Sequence, residues 1–315
     1  MYWRGVWVLA AVVCAVLAAD DSYVTWTDSA ESGSEEYGQF RGPKDTNCSC
    51  GWTNKDSGRI VGGREAFVNE FPYMVGLGYM SPRGSAVSAF CGASIITPRH
   101  VLTAAHCTFQ DHGEKLGVVV GEHDTSRRDE TKHTKVYAIS KIIEHEGWSL
   151  QTFQNDVAIV ITEKEIEFNQ YVGPVCLPSP NMPSLVGKHI RVTGWGNTKG
   201  NGEESERLLK VRPKVIDLKF CKEKYPHKPI RMNPNTQLCT YSYRKDSCQG
   251  DSGGPVVWLD PETNRYTQVG VVSFGAGCAT RIPGVNTDVS HFLGWIQKTV
   301  RESIPSSYRT CSKRG

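Results

Sequence analysis

The sequence predicts an all-β protein built in two halves and closed by one C-terminal helix. From residue 60 onward, β-rich runs follow one another at 73–79, 117–121, 157–161, 189–193, 256–259 and 269–274, separated by Gly, Pro and Asn. Strands that succeed one another without interleaved helices pack as antiparallel sandwiches or barrels. Pro174, Pro178, Pro180 and Pro183 crowd one segment. It reads as a connector between halves of about 120 residues each, an ordinary size for a compact unit. Only the end of the chain looks helical. Over 288–300, Val289, Phe292, Leu293, Ile296 and Val300 line up as one stripe at helical spacing.

Before this body the chain is different. Arg4 gives a positive start, and an almost unbroken apolar run over 6–19 ends in small residues. This is the anatomy of a secretory signal at 1–19, too short to span a bilayer. A Ser-, Glu-, Asp- and Gly-rich leader follows at 20–59, with little to bury. Residues 1–59 hold eight acids and five bases, while 60–315 hold 31 bases and 25 acids, so an acidic leader precedes a mildly basic body. The body charge reads as a solvated surface: the chain is only +3 overall and has no block of five basic residues, which gives no reason to expect nucleic acid. With 39% hydrophobic and 22% charged residues, disorder, collagen and coiled coil are excluded for the bulk of the chain. No apolar run reaches the length of a spanning helix, so no membrane partner is expected.

The chain has eleven cysteines. Removing the signal takes Cys14 and leaves an even set, which in a secreted chain reads as a disulfide framework. Cys48 and Cys50 are spaced too tightly for the usual zinc pair, so neither metal nor cofactor is expected.

Three motifs carry chemistry: Leu102-Thr-Ala-Ala-His106-Cys107, Asn155-Asp156-Val-Ala-Ile159 and Asp246-Ser-Cys-Gln-Gly250-Asp251-Ser252-Gly-Gly-Pro255. A serine hydroxyl is a poor nucleophile at neutral pH. It needs a base within hydrogen-bond reach, and the base needs an orienting acceptor. His106, Asp156 and Ser252 supply those three types in that chain order. Together with Arg59-Ile60-Val-Gly-Gly63, these motifs resemble the chymotrypsin/trypsin family of serine peptidases from about residue 59 to 300.

The resemblance implies a peptidase domain over 60–315 with two six-stranded antiparallel barrels, one at about 60–175 and one at about 186–287. A helix at about 288–300 follows, and the active site lies in the cleft between the barrels. By the same resemblance, the N–H groups of Gly250 and Ser252 form the oxyanion hole. Asp246 floors a pocket for an Arg or Lys side chain, with Ser273, Gly275 and Gly284 along its walls. Cutting after Arg59 frees Ile60, whose ammonium pairs with Asp251. Since Arg59 itself suits such a pocket, partial self-activation is expected.

The implied bridges are Cys91–Cys107, Cys221–Cys239 and Cys248–Cys278, with Cys176 paired to Cys48 or Cys50 and the other of the two to Cys311. The leader then stays attached after activation. Protein or peptide substrates, protein inhibitors and a monomeric state are expected partners and form. The leader string Cys48-Ser-Cys50-Gly-Trp52 is similar to those of arthropod secreted proteases of venom or haemolymph. Two departures stand out. Phe274 occupies a place where Trp is commoner, and Asn286 one where an aromatic is usual, which leaves the rear of the pocket open to question. The 122–130 loop, where some relatives bind calcium, has its acids interrupted by Arg127 and Arg128, so calcium is not predicted. The alternative reading, an inactive homologue serving as a binding module, meets no missing residue among those named.

Overall fold

The computed structural model describes residues 38, 40–54, 64–109, 115–127, 130–196, 204–241, 251–275, 282–304 and 308–314. All belong to one compact unit, Ser32–Gly315.

The first half closes into a barrel. Its strands are β2 (Met74–Met80), β3 (Val87–Ile95), β4 (His100–Thr103), β5 (Leu116–Val120), β6 (Lys135–Glu144) and β7 (Ala158–Thr162), after a short β1 (Arg64–Glu65) that pairs elsewhere. The ring order is β2-β3-β4-β7-β6-β5, with every pairing antiparallel. β4 and β7 are buried at every position, and β7 accordingly is apolar up to its last residue, whereas β4 carries His100 and Thr103 at its ends. β2 and β6 meet solvent along part of their length.

The second half comprises β8 (Arg191–Gly194), β9 (Leu209–Val211), β10 (Lys214–Ile216), β11 (Gln237–Tyr241), β12 (Pro255–Asp260), β13 (Arg265–Phe274) and β14 (Gly284–Asp288). With β1 at its edge, this is an eight-stranded sheet in the order β1-β9-β8-β12-β13-β14-β11-β10. Six strands were expected. The difference has a physical cause. β9 and β10 are two arms of one strand broken around Pro213, whose ring leaves no N–H to donate. One arm pairs with β8 and the other with β11. Beyond the break, Ile190 N–H still bonds Pro213 C=O at 2.9 Å and His189 bridges Lys214. Counting the bent segment once returns a six-membered ring, with β1 added outside it.

The C-terminal helix, α2 (Val289–Ser303), is capped by Asp288, whose carboxylate accepts the Ser290 N–H at 2.9 Å. It runs three residues past the expected end. Val289, Phe292, Leu293, Ile296 and Val300 join the main apolar core. His100, fully buried in β4, reaches Thr97 Oγ1 at 2.6 Å and Ser303 Oγ at 2.8 Å, tying the end of α2 to the barrel.

A second helix, α1 (Leu218–Lys224), was not expected. Its seven residues are too few to show a period. Its signal was the N-cap, Asp217, which accepts the Lys219 N–H at 2.9 Å. Cys221 of α1 is bridged to Cys239 of β11.

The leader is part of the fold. Cys50 pairs with Cys176 and Cys48 with Cys311. Gly51 N–H bonds Pro174 C=O, and Tyr266 N–H bonds Gly51 C=O, each at 2.8 Å. Gly51 has φ 64°, a left-handed backbone, and a Cβ there would stand 2.8 Å from Tyr266 N, so only glycine fits this seat. Trp52 Nε1–H reaches Gln170 C=O at 2.8 Å.

Candidate active site

His106 lies on a 3-10 turn, Ala105–Cys107, that follows β4. Cys107 is bridged to Cys91 of β3, which fixes the turn against the barrel. The imidazole is mostly covered, with 15% of its side-chain surface exposed.

Asp156 enters from the turn before β7. Its predecessor Asn155 has φ 55°, the left-handed conformation that asparagine tolerates better than most residues. The Asp156 side chain is fully buried. A buried carboxylate needs donors, and this one has three. Oδ1 accepts the His106 backbone N–H at 2.9 Å, while Oδ2 accepts His106 Nδ1 at 2.7 Å and the Ser273 hydroxyl at 2.5 Å. The Asp156 carbonyl accepts Thr287 Oγ1–H at 2.7 Å. Because a carboxylate only accepts, the imidazole donates to it through a proton on Nδ1.

Ser252 sits in the turn after Asp251 and before β12. Gly92 N–H donates to the Ser252 carbonyl at 2.8 Å, and Gly253 N–H to Val272 C=O at 2.8 Å. Gly253 has φ 76°, and a Cβ there would meet Gly92 O at 2.6 Å and Cys107 Sγ at 3.0 Å. The serine turn is therefore pressed against β3 and the half-cystine beside His106, closer than any side chain at 253 would allow. This brings the Ser252, His106 and Asp156 segments together from three distant parts of the chain.

Asp251 is buried, and its Oδ1 accepts Gly196 N–H at 3.1 Å. Of the expected pocket residues, Gly275 is exposed and a Cβ there would meet nothing within 4 Å. Gly284 begins β14. Ser273 is buried, and its hydroxyl is turned to Asp156. Asn286 is buried in β14, donating to Leu238 C=O at 3.2 Å and Thr240 Oγ1 at 3.0 Å, so its amide ties β14 to β11. Arg59, Ile60, Asp246, Cys248, Gly250 and Cys278 lie outside the described residues.

Sequence reasoning missed two contributions, the hydroxyls of Ser273 and Thr287 on Asp156. Ser273 is expected from the resemblance only as a pocket-wall residue, not as a partner of Asp156, and Thr287 stands in no motif; its only signal is a polar residue at a buried strand position.

Among the described residues one group has metal-ligand spacing, Cys91, His106 and Cys107. Its two sulfurs are already joined in a disulfide, which leaves no thiolate to bind an ion. In the 122–130 loop, Glu122 is half-buried and its carboxyl is pushed up to about 7, by burial first and by nearby Glu130 and Asp124 after it. Asp124 is engaged by Ser126 and by Arg207 at 3.6 Å.

The family model described as trypsin matches residues 60–296. Venom serine protease 34 of Apis mellifera is 41% identical over 260 residues, which is 80% of this chain and 60% of that protein. The venom serine protease of Polistes dominula is 40% identical over 257 residues, covering 80% of this chain and 88% of its own length. The proclotting enzyme of Tachypleus tridentatus is 34% identical over 258 residues, covering 78% and 68% respectively.

Proposed function

The chain belongs to the trypsin family of serine proteases, and from that premise we propose that it is a secreted endopeptidase made as a proenzyme, with a signal at 1–19, a leader at 20–59 and a peptidase domain at 60–315. The observation that carries this reading is the buried Asp156 carboxylate, which holds both the backbone and the ring of His106 beside the turn that bears Ser252.

In the proposed reaction the Ser252 Oγ attacks the scissile carbonyl while His106 Nε2 takes its proton. The same imidazole returns that proton to the leaving amine, and water repeats the cycle on the acyl-enzyme. Asp156 holds the Nδ1–H tautomer and stabilises the imidazolium. The N–H groups of Gly250 and Ser252 face the oxygen that becomes negative, a contribution of about 10²–10³ in rate for one such donor. Asp246 selects Arg or Lys before the cut, because a buried carboxylate without a partner is costly and a guanidinium removes that cost. Cutting after Arg59 frees the Ile60 ammonium to pair with Asp251 next to the nucleophile. That pair orders the turn and switches the enzyme on. The disulfides and the venom relatives support a secreted protein, and the family supports protein substrates.

The test is turnover of a benzoyl-arginine chromogenic amide by protein cut after Arg59. Turnover should fall by at least about 10⁴-fold in Ser252→Ala. No turnover by the cut protein would leave the binding-module reading standing, and equal turnover by the variant would remove Ser252 as the nucleophile.

A further inference from the structure

An aromatic floor lies beside the His106 ring. Phe153 is 5.6 Å from it centroid to centroid, Phe274 is 5.5 Å from Phe153, and Tyr225 is 5.4 Å from Phe274. Over this floor stands one cation. Lys228 Nζ is 4.5 Å from the Phe153 ring centre and 5.8 Å from that of Phe274.

The placement is built from both sides. Phe153 has φ 53°, a region in which a bulky side chain is uncommon, and its N–H is held by Ser149 C=O at 2.7 Å. The next residue, Gln154, donates its side-chain amide to the carbonyl of Pro229, which binds the loop of Phe153 to the loop of Lys228. Lys228 N–H bonds Tyr225 C=O at 3.1 Å, and its own carbonyl accepts Ile230 N–H at 2.9 Å. Among the described residues no carboxylate forms an ion pair with Lys228, which is half-buried. The ring faces attract the ammonium, but they do not neutralise it.

The geometry points to an anion-selecting subsite in which Lys228, held over Phe153 and Phe274, takes a carboxylate side chain of the peptide on the amino side of the bond to be cut. This rests on the peptidase reading above. The side follows from Phe274, which lies in sequence between Ser273 and Gly275, the two residues assigned to the pocket for the side chain before the cut. The reach follows from the ring and ammonium distances. They put the ammonium within about 10 Å of the His106 ring, the span of three extended residues at about 3.3 Å each. The chain's own activation sequence, Lys55-Asp56-Ser-Gly-Arg59, carries an acid three residues before Arg59, the fourth residue before the proposed cut. Asp56 is thus the side chain this subsite would take when one molecule activates another.

The test uses cut, full-length protein and three fluorogenic amides: Lys-Asp-Ser-Gly-Arg and the same sequence with Ala or Lys in place of Asp. Within one protein the ratio of kcat/KM between peptides cancels any loss of fold or of active enzyme. In the wild type the Asp peptide should lead the Ala peptide by about fivefold, expressed in KM, and the lead should shrink as salt is raised. K228Q should bring the ratio to one, and K228E should place the Lys peptide ahead. A wild-type ratio of one, or a ratio unchanged in K228Q, overturns the subsite. If benzoyl-arginine amide is not turned over by the wild type, the peptidase reading fails, and the subsite fails with it.

Discussion

Ser273 shows how much one hydroxyl can carry. It is buried in β13 and donates its hydroxyl hydrogen bond to the same Asp156 oxygen that holds the imidazole. A hydrogen bond to an ionised acceptor contributes about 1.5–3 kcal/mol, and a buried acceptor left unsatisfied costs more than the bond itself. Ser273→Ala leaves Asp156 with its two bonds to His106, so the ring stays near its place but is less firmly aimed. The expected outcome is a fall in kcat of about tenfold on an arginine amide with KM nearly unchanged, since the hydroxyl is engaged by Asp156. A rise in KM with kcat intact would show that Ser273 acts on the pocket instead.

At the scale of the element, the loop between β5 and β6 stores a titration. Glu122 is half-buried there, and its carboxyl is pushed from the ordinary value of 4.5 up to about 7 by burial, despite a 3.0 Å bond from the His123 N–H. Below pH 4.5 folded and unfolded chains both hold the proton. Between 4.5 and 7 the folded chain holds a proton that the unfolded chain has released, so stability falls as pH rises through that window and is flat above it. Glu122→Gln is neutral throughout. It should lose that slope and melt about 2–4 °C above the wild type at pH 8, with little difference at pH 4. A difference that is the same at both pH values would mean that charge is not the cause.

The elements also divide what the sequence reveals from what it does not. Strands such as β7 and β12 were legible because continuous apolar runs flanked by turn residues have few other uses. β10 and α1 were not, because three and seven residues are too short for a period to show. The bend at Pro213 was in plain view, but it marked the corner of a closed ring only once the partners of both its arms were known. The same holds at the site. His106, Asp156 and Ser252 stand in motifs, whereas Thr287 and Lys228 act through distances between segments far apart in the chain, which spacing along the sequence does not encode.

At the scale of the whole molecule, the leader works as a clasp. Cys50, Cys176 and Cys311 form one buried cluster. Leu177 N–H bonds Cys311 C=O at 2.7 Å, and Gln268 N–H bonds Cys176 C=O at 2.8 Å. Connector, C-terminal tail, leader and β13 therefore converge on one place, held by two disulfides and by Lys44 with Glu262 at 2.9 Å. The two bridges act in parallel. In the proposed cut form, either bridge alone would keep the leader at high effective concentration beside its seat, so that its hydrogen bonds re-form as intramolecular ones. The cut wild type and the variants C48S/C311S and C50S/C176S should each run as one full-mass species without reductant, and as two chains with it. Only the variant lacking all four cysteines should shed the leader without reductant. Release from either two-cysteine variant would show that the remaining bridge does not form by itself, and that the clasp closes as a unit.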